Sequence, residues 1–179
     1  MINNSIFSEI PIEKKYFNNL KDDIVNYNKW SKNIFYFETC YITVFNNRNK
    51  QVVVEGIIKE PLRSKLLSYG KQIYVQYWAS SPYDSRHSFL GSGLPFPNEE
   101  IAYSNSPNIG RVVLSKDGSF SIKLLYPNSY YKKMGSVHVK PNVKILFNDK
   151  NGNMYGKIIT INIGNGIKYN SLQLSKNNI

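Results

Sequence analysis

The stretch Gly110–Phe147, GRVVLSKDGSFSIKLLYPNSYYKKMGSVHVKPNVKILF, constrains the fold more than any other part of the chain. Asp117-Gly118 stands between two apolar runs. Such a pair predicts a two-residue hairpin turn, because the turn that matches strand twist needs positive φ, which Gly adopts freely. Beyond it Phe120, Ile122 and Leu124 alternate with Ser119, Ser121 and Lys123. A period of two places one face of a strand in a core and the other in water. After the loop Pro127–Tyr131 the pattern returns, with Val143, Ile145 and Phe147 set against Asn142, Lys144 and Leu146.

The same signals recur elsewhere. Ile34–Phe45 is a β-branched and aromatic run, Asn46–Lys50 is a turn cluster, and Val52–Ile58 is the returning strand of a longer-looped hairpin. Pro61–Gly70 carries Leu62, Leu66 and Leu67 in a short helical turn. Ile73, Val75 and Tyr77 mark a strand, as do Met154–Ile163 and, at the edge, Lys168–Leu174 before a polar tail. Short strands separated by turn residues predict an all-β, antiparallel β-sandwich or barrel. Ile12, Tyr16, Leu20, Ile24 and Tyr27 recur every three or four positions and predict one amphipathic helix over Pro11–Trp30. The chain thus divides into an N-terminal arm and helix, residues 1–33, and a β domain, residues 34–179. Ala79–Asn108 has no period, with proline at 82, 95, 97 and 107. Its apolar content, including Tyr83, Phe96 and Tyr103, predicts a packed loop over one end of the sheets, and loops of this length tend to be functional.

The formal net charge is +11 over 179 residues. Residues 1–60 hold eight basic and seven acidic side chains, and residues 61–179 hold fifteen and five, so the excess sits in the second part. Such a field suits a polyanion or nucleic acid partner. Its alternative is a solvated surface, since the lysines are scattered and form no run. The single cysteine, Cys40, excludes an intrachain disulfide and points to a reducing compartment or a particle assembled in one. No secretory signal and no apolar stretch of the ~18 residues a spanning helix needs can be read, so the expectation is a cytoplasmic or virion protein without membrane insertion.

Five pieces, in order, resemble the intradiol ring-cleavage dioxygenases. Gln72–His87 (QIYVQYWASSPYDSRH) is similar to their VEIWQAN strand and following turn, and Pro107–Arg111 (PNIGR) to a PNF-x-G-x-GR stretch. Asp117–Phe120 (DGSF) is similar to their DG-x-Y/F turn, Pro127–Tyr130 (PNSY) to PGPY, and Lys140-Pro141 to the start of RPAHIHF. The resemblance covers about residues 52–163 and implies a sandwich of the intradiol dioxygenase/transthyretin-like type. That family holds ferric iron with two tyrosines and two histidines and cleaves catechols between their hydroxyls. Tyr130 matches the tyrosine of PGPY, and Tyr103 stands for the other. The two histidine positions fall on Val143 and Ile145, which have no lone pair to offer. The resemblance therefore implies a degenerate site with no catalytic residue, metal or cofactor. The loops Gly91–Phe96 (GSGLPF) and Pro127–Tyr131 (PNSYY) resemble those of degenerate dioxygenase-fold proteins of large DNA viruses, which implies a virion component with other protein subunits as partners.

Four functions are open on these grounds. The first is a non-catalytic structural or interaction protein. The second is a small-ligand or glycan-binding module using Tyr83, Arg86, His87, Tyr103, Tyr130, Tyr131 and His138 at the loop end. The third is a polyanion binder. The last is an iron dioxygenase with His87 and His138 as replacement ligands. The structural reading of Tyr130 is a buried aromatic that hydrogen-bonds through its hydroxyl. No nucleophile motif or phosphate-binding loop is present, and Asp84, Glu99, Glu100 and Asp117 form no evident carboxylate pair.

Overall fold

A computed structural model describes residues 30–82 and 94–165. The helical pattern over residues 11–29, the loop residues Tyr83, Arg86 and His87, and the edge strand Lys168–Leu174 lie outside them. The described chain is mostly β in antiparallel sheets. Its strands are β1 (Trp30–Tyr36), β2 (Cys40–Asn47), β3 (Gln51–Ile58), β4 (Ile73–Ala79), β5 (Ile109–Val113), β6 (Ser119–Leu125), β7 (Tyr130–Lys132), β8 (Val137–Val139), β9 (Asn142–Asp149) and β10 (Met154–Asn162). Two helices are described, α1 (Leu62–Ser68) and α2 (Glu99–Tyr103). The strands form sheets β1-β2-β3-β6 and β10-β9-β4-β5 and a ribbon β7-β8. Among the described residues no helix is long and apolar enough to cross a membrane.

Two compact units divide the chain. One comprises the residues up to Gln76 with Arg111–Leu124 and Leu146–Lys157, the other Tyr77–Gly110, Leu125–Ile145 and the residues from Ile158 on. In the first unit, β2 and β3 pair in register from Cys40↔Ile58 to Asn47↔Gln51. Ile42 faces Gly56 in that register, and the Phe120 ring lies over the glycine. Phe120 in turn meets Phe147 edge-to-face, with ring centroids 5.9 Å apart. Ile73, Val75, Ile122 and Leu124 are buried in the same unit, as their alternation requires, while Lys123 is exposed.

Three local expectations fail for identifiable reasons. The run Ile34–Phe45 is two strands, not one. β1 begins at Trp30, inside the segment assigned to the arm and helix, and the chain reverses at Phe37–Thr39, where Phe37 N donates to Cys40 O at 2.9 Å. That turn contains no Gly, Pro or Asn, the residues that announce turns. Asp117-Gly118 does not close a hairpin of paired strands, because β5 and β6 belong to different sheets. Gly118 N donates to Ser115 O at 3.0 Å, so Lys116 and Asp117 are the central turn residues. Gly118, at φ +86°, follows them in the left-handed region, the arrangement of a three-residue loop. Asp117 Oδ1 fixes the turn by accepting from Ser119 N at 3.0 Å and from the Ser115 and Ser119 hydroxyls. Finally, β9 lacks the expected wet face. Leu146 and Asn148 are buried along with Val143, Ile145 and Phe147, because β9 is an interior strand between β10 and β4. Tyr77, expected in the core, is only half-buried.

Candidate functional site

The site is assembled in the second unit from the described part of the long segment and from the β7-β8 ribbon. Two asparagines hold the segment in place. Buried Asn108 donates from Nδ2 to Ser80 O and Leu125 O, both at 2.9 Å, and accepts from Leu125 N at 3.0 Å. Asn128, fully buried, donates to Leu94 O at 2.8 Å. Phe96 then pairs with the start of β7, donating to Ser129 O at 3.0 Å and accepting from Tyr131 N at 2.9 Å. An apolar cluster of Phe96, Ala102 and Tyr130 results, with Tyr103 and Val139 packed on it.

Helix α2 lies within the segment read as irregular. Its signal is ordinary: Asn98 caps it by accepting from Ile101 N at 2.8 Å, and Glu99 and Glu100 occupy the first turn. Five residues are too few for a period to show, so only the cap could have revealed it. The helix sets Glu99 and Tyr103 beside Tyr130. Tyr130 donates to Glu99 Oε2 at 3.3 Å, and its hydroxyl lies 3.4 Å from that of Tyr103. The two rings meet edge-to-face at 5.6 Å. Glu99 also pairs with Lys132 at 3.2 Å. Lys144 on β9 is half-buried, donates to Asn142 Oδ1 at 3.0 Å, and feels the charges of Lys132 and Glu99.

Burial raises the pKa of both phenols. At Tyr130 the hydrogen bond to Tyr103 and the negative charge of Glu99 push it further. Both therefore stay protonated near neutral pH. Burial, and then Lys132, pull the Lys144 ammonium below the usual lysine range, with Glu99 acting against them.

The candidate residues do not converge on one point. On the ribbon, Tyr130 is opposite Val139, and Tyr131 is opposite His138. Successive side chains of a strand point to opposite faces, so Tyr131 and His138 share the face away from Tyr130. Their rings lie 5.2 Å apart. Only Tyr103 and Tyr130 of the expected set come together, and Glu99, Lys132 and Lys144, which sequence reasoning did not single out for this site, complete the group. Tyr83, Arg86 and His87 lie outside the described residues.

A ferric site of the kind the resemblance implies does not fit this group. Val143 and Ile145 are both fully buried and apolar. Among the described residues no group of three His, Cys, Asp or Glu is placed to hold a metal ion. Ligation would also require ionised phenols beside two ammonium groups, whose charge opposes a trivalent cation. No protein-family model matches the sequence, and no curated protein or solved structure matches it either.

Proposed function

We propose that this chain is a non-catalytic structural or interaction protein, built on a β-sandwich of the intradiol dioxygenase/transthyretin-like type that has lost its iron site. The observation that carries the reading is the Tyr103–Tyr130–Glu99–Lys132 network. The tyrosines that the resemblance would assign to iron are tied instead to a carboxylate, and that carboxylate is tied to a lysine. The contact of Phe120 with Phe147, from strands of different four-stranded sheets, supports the sandwich. Exposed apolar side chains on β1 and β2, Ile34, Tyr36 and Tyr41, support contact with other protein subunits.

The test is reconstitution with ferric ion followed by a catechol turnover assay. The expected protein stays colourless and opens no ring. Stoichiometric iron with a visible tyrosinate band and catechol cleavage would overturn the proposal.

A further inference from the structure

Lys144 is a half-buried ammonium whose hydrogen-bond partner is a neutral amide, Asn142 Oδ1 at 3.0 Å. No ion pair within bonding distance offsets its charge among the described residues. The one carboxylate near it, Glu99, is already shared between Lys132 at 3.2 Å and the Tyr130 hydroxyl at 3.3 Å. The phenols of Tyr103 and Tyr130 are neutral. Lys132 and Lys144 against Glu99 therefore leave one uncompensated positive charge at a partly desolvated spot. Charges in such places are costly unless paired.

We propose that Lys144 and Lys132 bind an oxyanion, the carboxylate or phosphate group of a small molecule, with Glu99 swinging away from Lys132 as the anion enters. The side chains of Glu99 and Lys132 are 54% and 43% exposed, so the carboxylate is free to move into water and the anion has a route in. The Tyr103 hydroxyl supplies a donor beside the group once Glu99 has left. Favourable burial follows because the anion offsets the charge that desolvation penalises at Lys144, and the lowered ammonium pKa is the mark of that penalty. This site is independent of the proposed function, since a protein that has lost iron chemistry can bind an anion or not.

The experiment titrates the full-length protein with inorganic phosphate and, separately, with acetate. Ionic strength is held constant with chloride, and both the thermal midpoint and the lysine ammonium resonances are followed. The expected result is a saturable shift with at least one of the two anions, and which one binds identifies the chemistry. Lys144→Met should weaken binding at least ~10-fold, and Glu99→Gln should tighten it about 3-fold by removing the competing carboxylate. Should Lys144→Met fail to fold, Glu99→Gln at its half-exposed position still decides. The proposal falls if neither anion binds saturably, if chloride alone reproduces the shift, or if Glu99→Gln binds no more tightly than the parent protein.

Discussion

Replacing Gly56 with alanine should destabilise the protein by about 2 kcal/mol, although alanine is ordinarily the better residue in a strand. The added carbon would stand 2.6 Å from Phe120 Cε1 and 2.8 Å from Ile42 Cδ1, closer still to Phe120 Cζ. These distances are about 1 Å inside normal carbon contact. Neither neighbour can easily withdraw. Ile42 is fully buried, and the Phe120 ring is set edge-on against Phe147 at 5.9 Å. Overpacking of this kind costs about 1–3 kcal/mol, and the severity of the clash puts it near the top of that range. Removing glycine from the unfolded chain returns about 0.5–1 kcal/mol. For a chain of this size the net loss lowers the thermal midpoint by about 4–8 °C. Urea denaturation of the single variants Gly56→Ala and Phe120→Leu and of the double variant measures it. Phe120→Leu alone is destabilising, but in the Gly56→Ala background it relieves the clash, so the two changes couple by about 1 kcal/mol or more. A Gly56→Ala variant within about 0.5 kcal/mol of the parent, or strictly additive costs in the double variant, would refute the packing argument.

Tyr130→Phe removes the hydroxyl bonded to Glu99 and Tyr103 and should cost about 1–3 kcal/mol, read by the same denaturation assay. Because Tyr130 holds its proton more tightly in the folded state, its contribution is full below the ordinary tyrosine value of 10.0 and is lost as pH rises above it. Denaturation on either side of that value should show a decline that Tyr130→Phe makes shallower, and an unchanged slope would exclude Tyr130 as its source. Asp149 behaves oppositely. Its carboxylate accepts from the side chain and backbone of Asn153, from Tyr155 and from Lys71, and these bonds hold it well below its ordinary 3.8. Stability from Asp149 is thus present above that pH and lost as pH falls below it, and Asp149→Asn should lower the thermal midpoint at neutral pH while flattening the acid-side decline.

Much of the sheet structure was legible because period two leaves a mark wherever one face is buried. Ile122 and Leu124 against Lys123 are an instance, and the inward set Ile73, Val75, Val143, Ile145 and Phe147 was read correctly. The partners of those strands were less legible. Asp117-Gly118 announced a turn, but nothing within a turn says whether its two strands stay together, and here β5 and β6 part to different sheets. The ribbon β7-β8 was missed because strands of three residues are too short to show alternation. At the site, the meeting of Tyr103 with Tyr130 came from a resemblance rather than from spacing. Glu99 and Lys132 are remote in sequence and meet only because α2 and β7 are adjacent. Lys144 read as the wet side of a strand, and only the burial of its neighbours Asn142 and Leu146 makes its charge consequential.

The separation of β5 from β6 also governs how the chain can fold. A tight turn normally lets two strands zip together from the loop outward, a fast and local event. The Ser115–Ser119 turn can form early but has nothing to zip, because β6 must find β3 instead. Gly118 O accepts from Ile58 N at 2.9 Å, across about sixty residues of intervening chain. The entropy of closing that long loop has to be met before the Phe120 ring can cover Gly56 and reward it. Refolding should therefore be limited by this distant pairing, on the millisecond-to-second scale of β proteins rich in non-local contacts, and not by the turn at its centre.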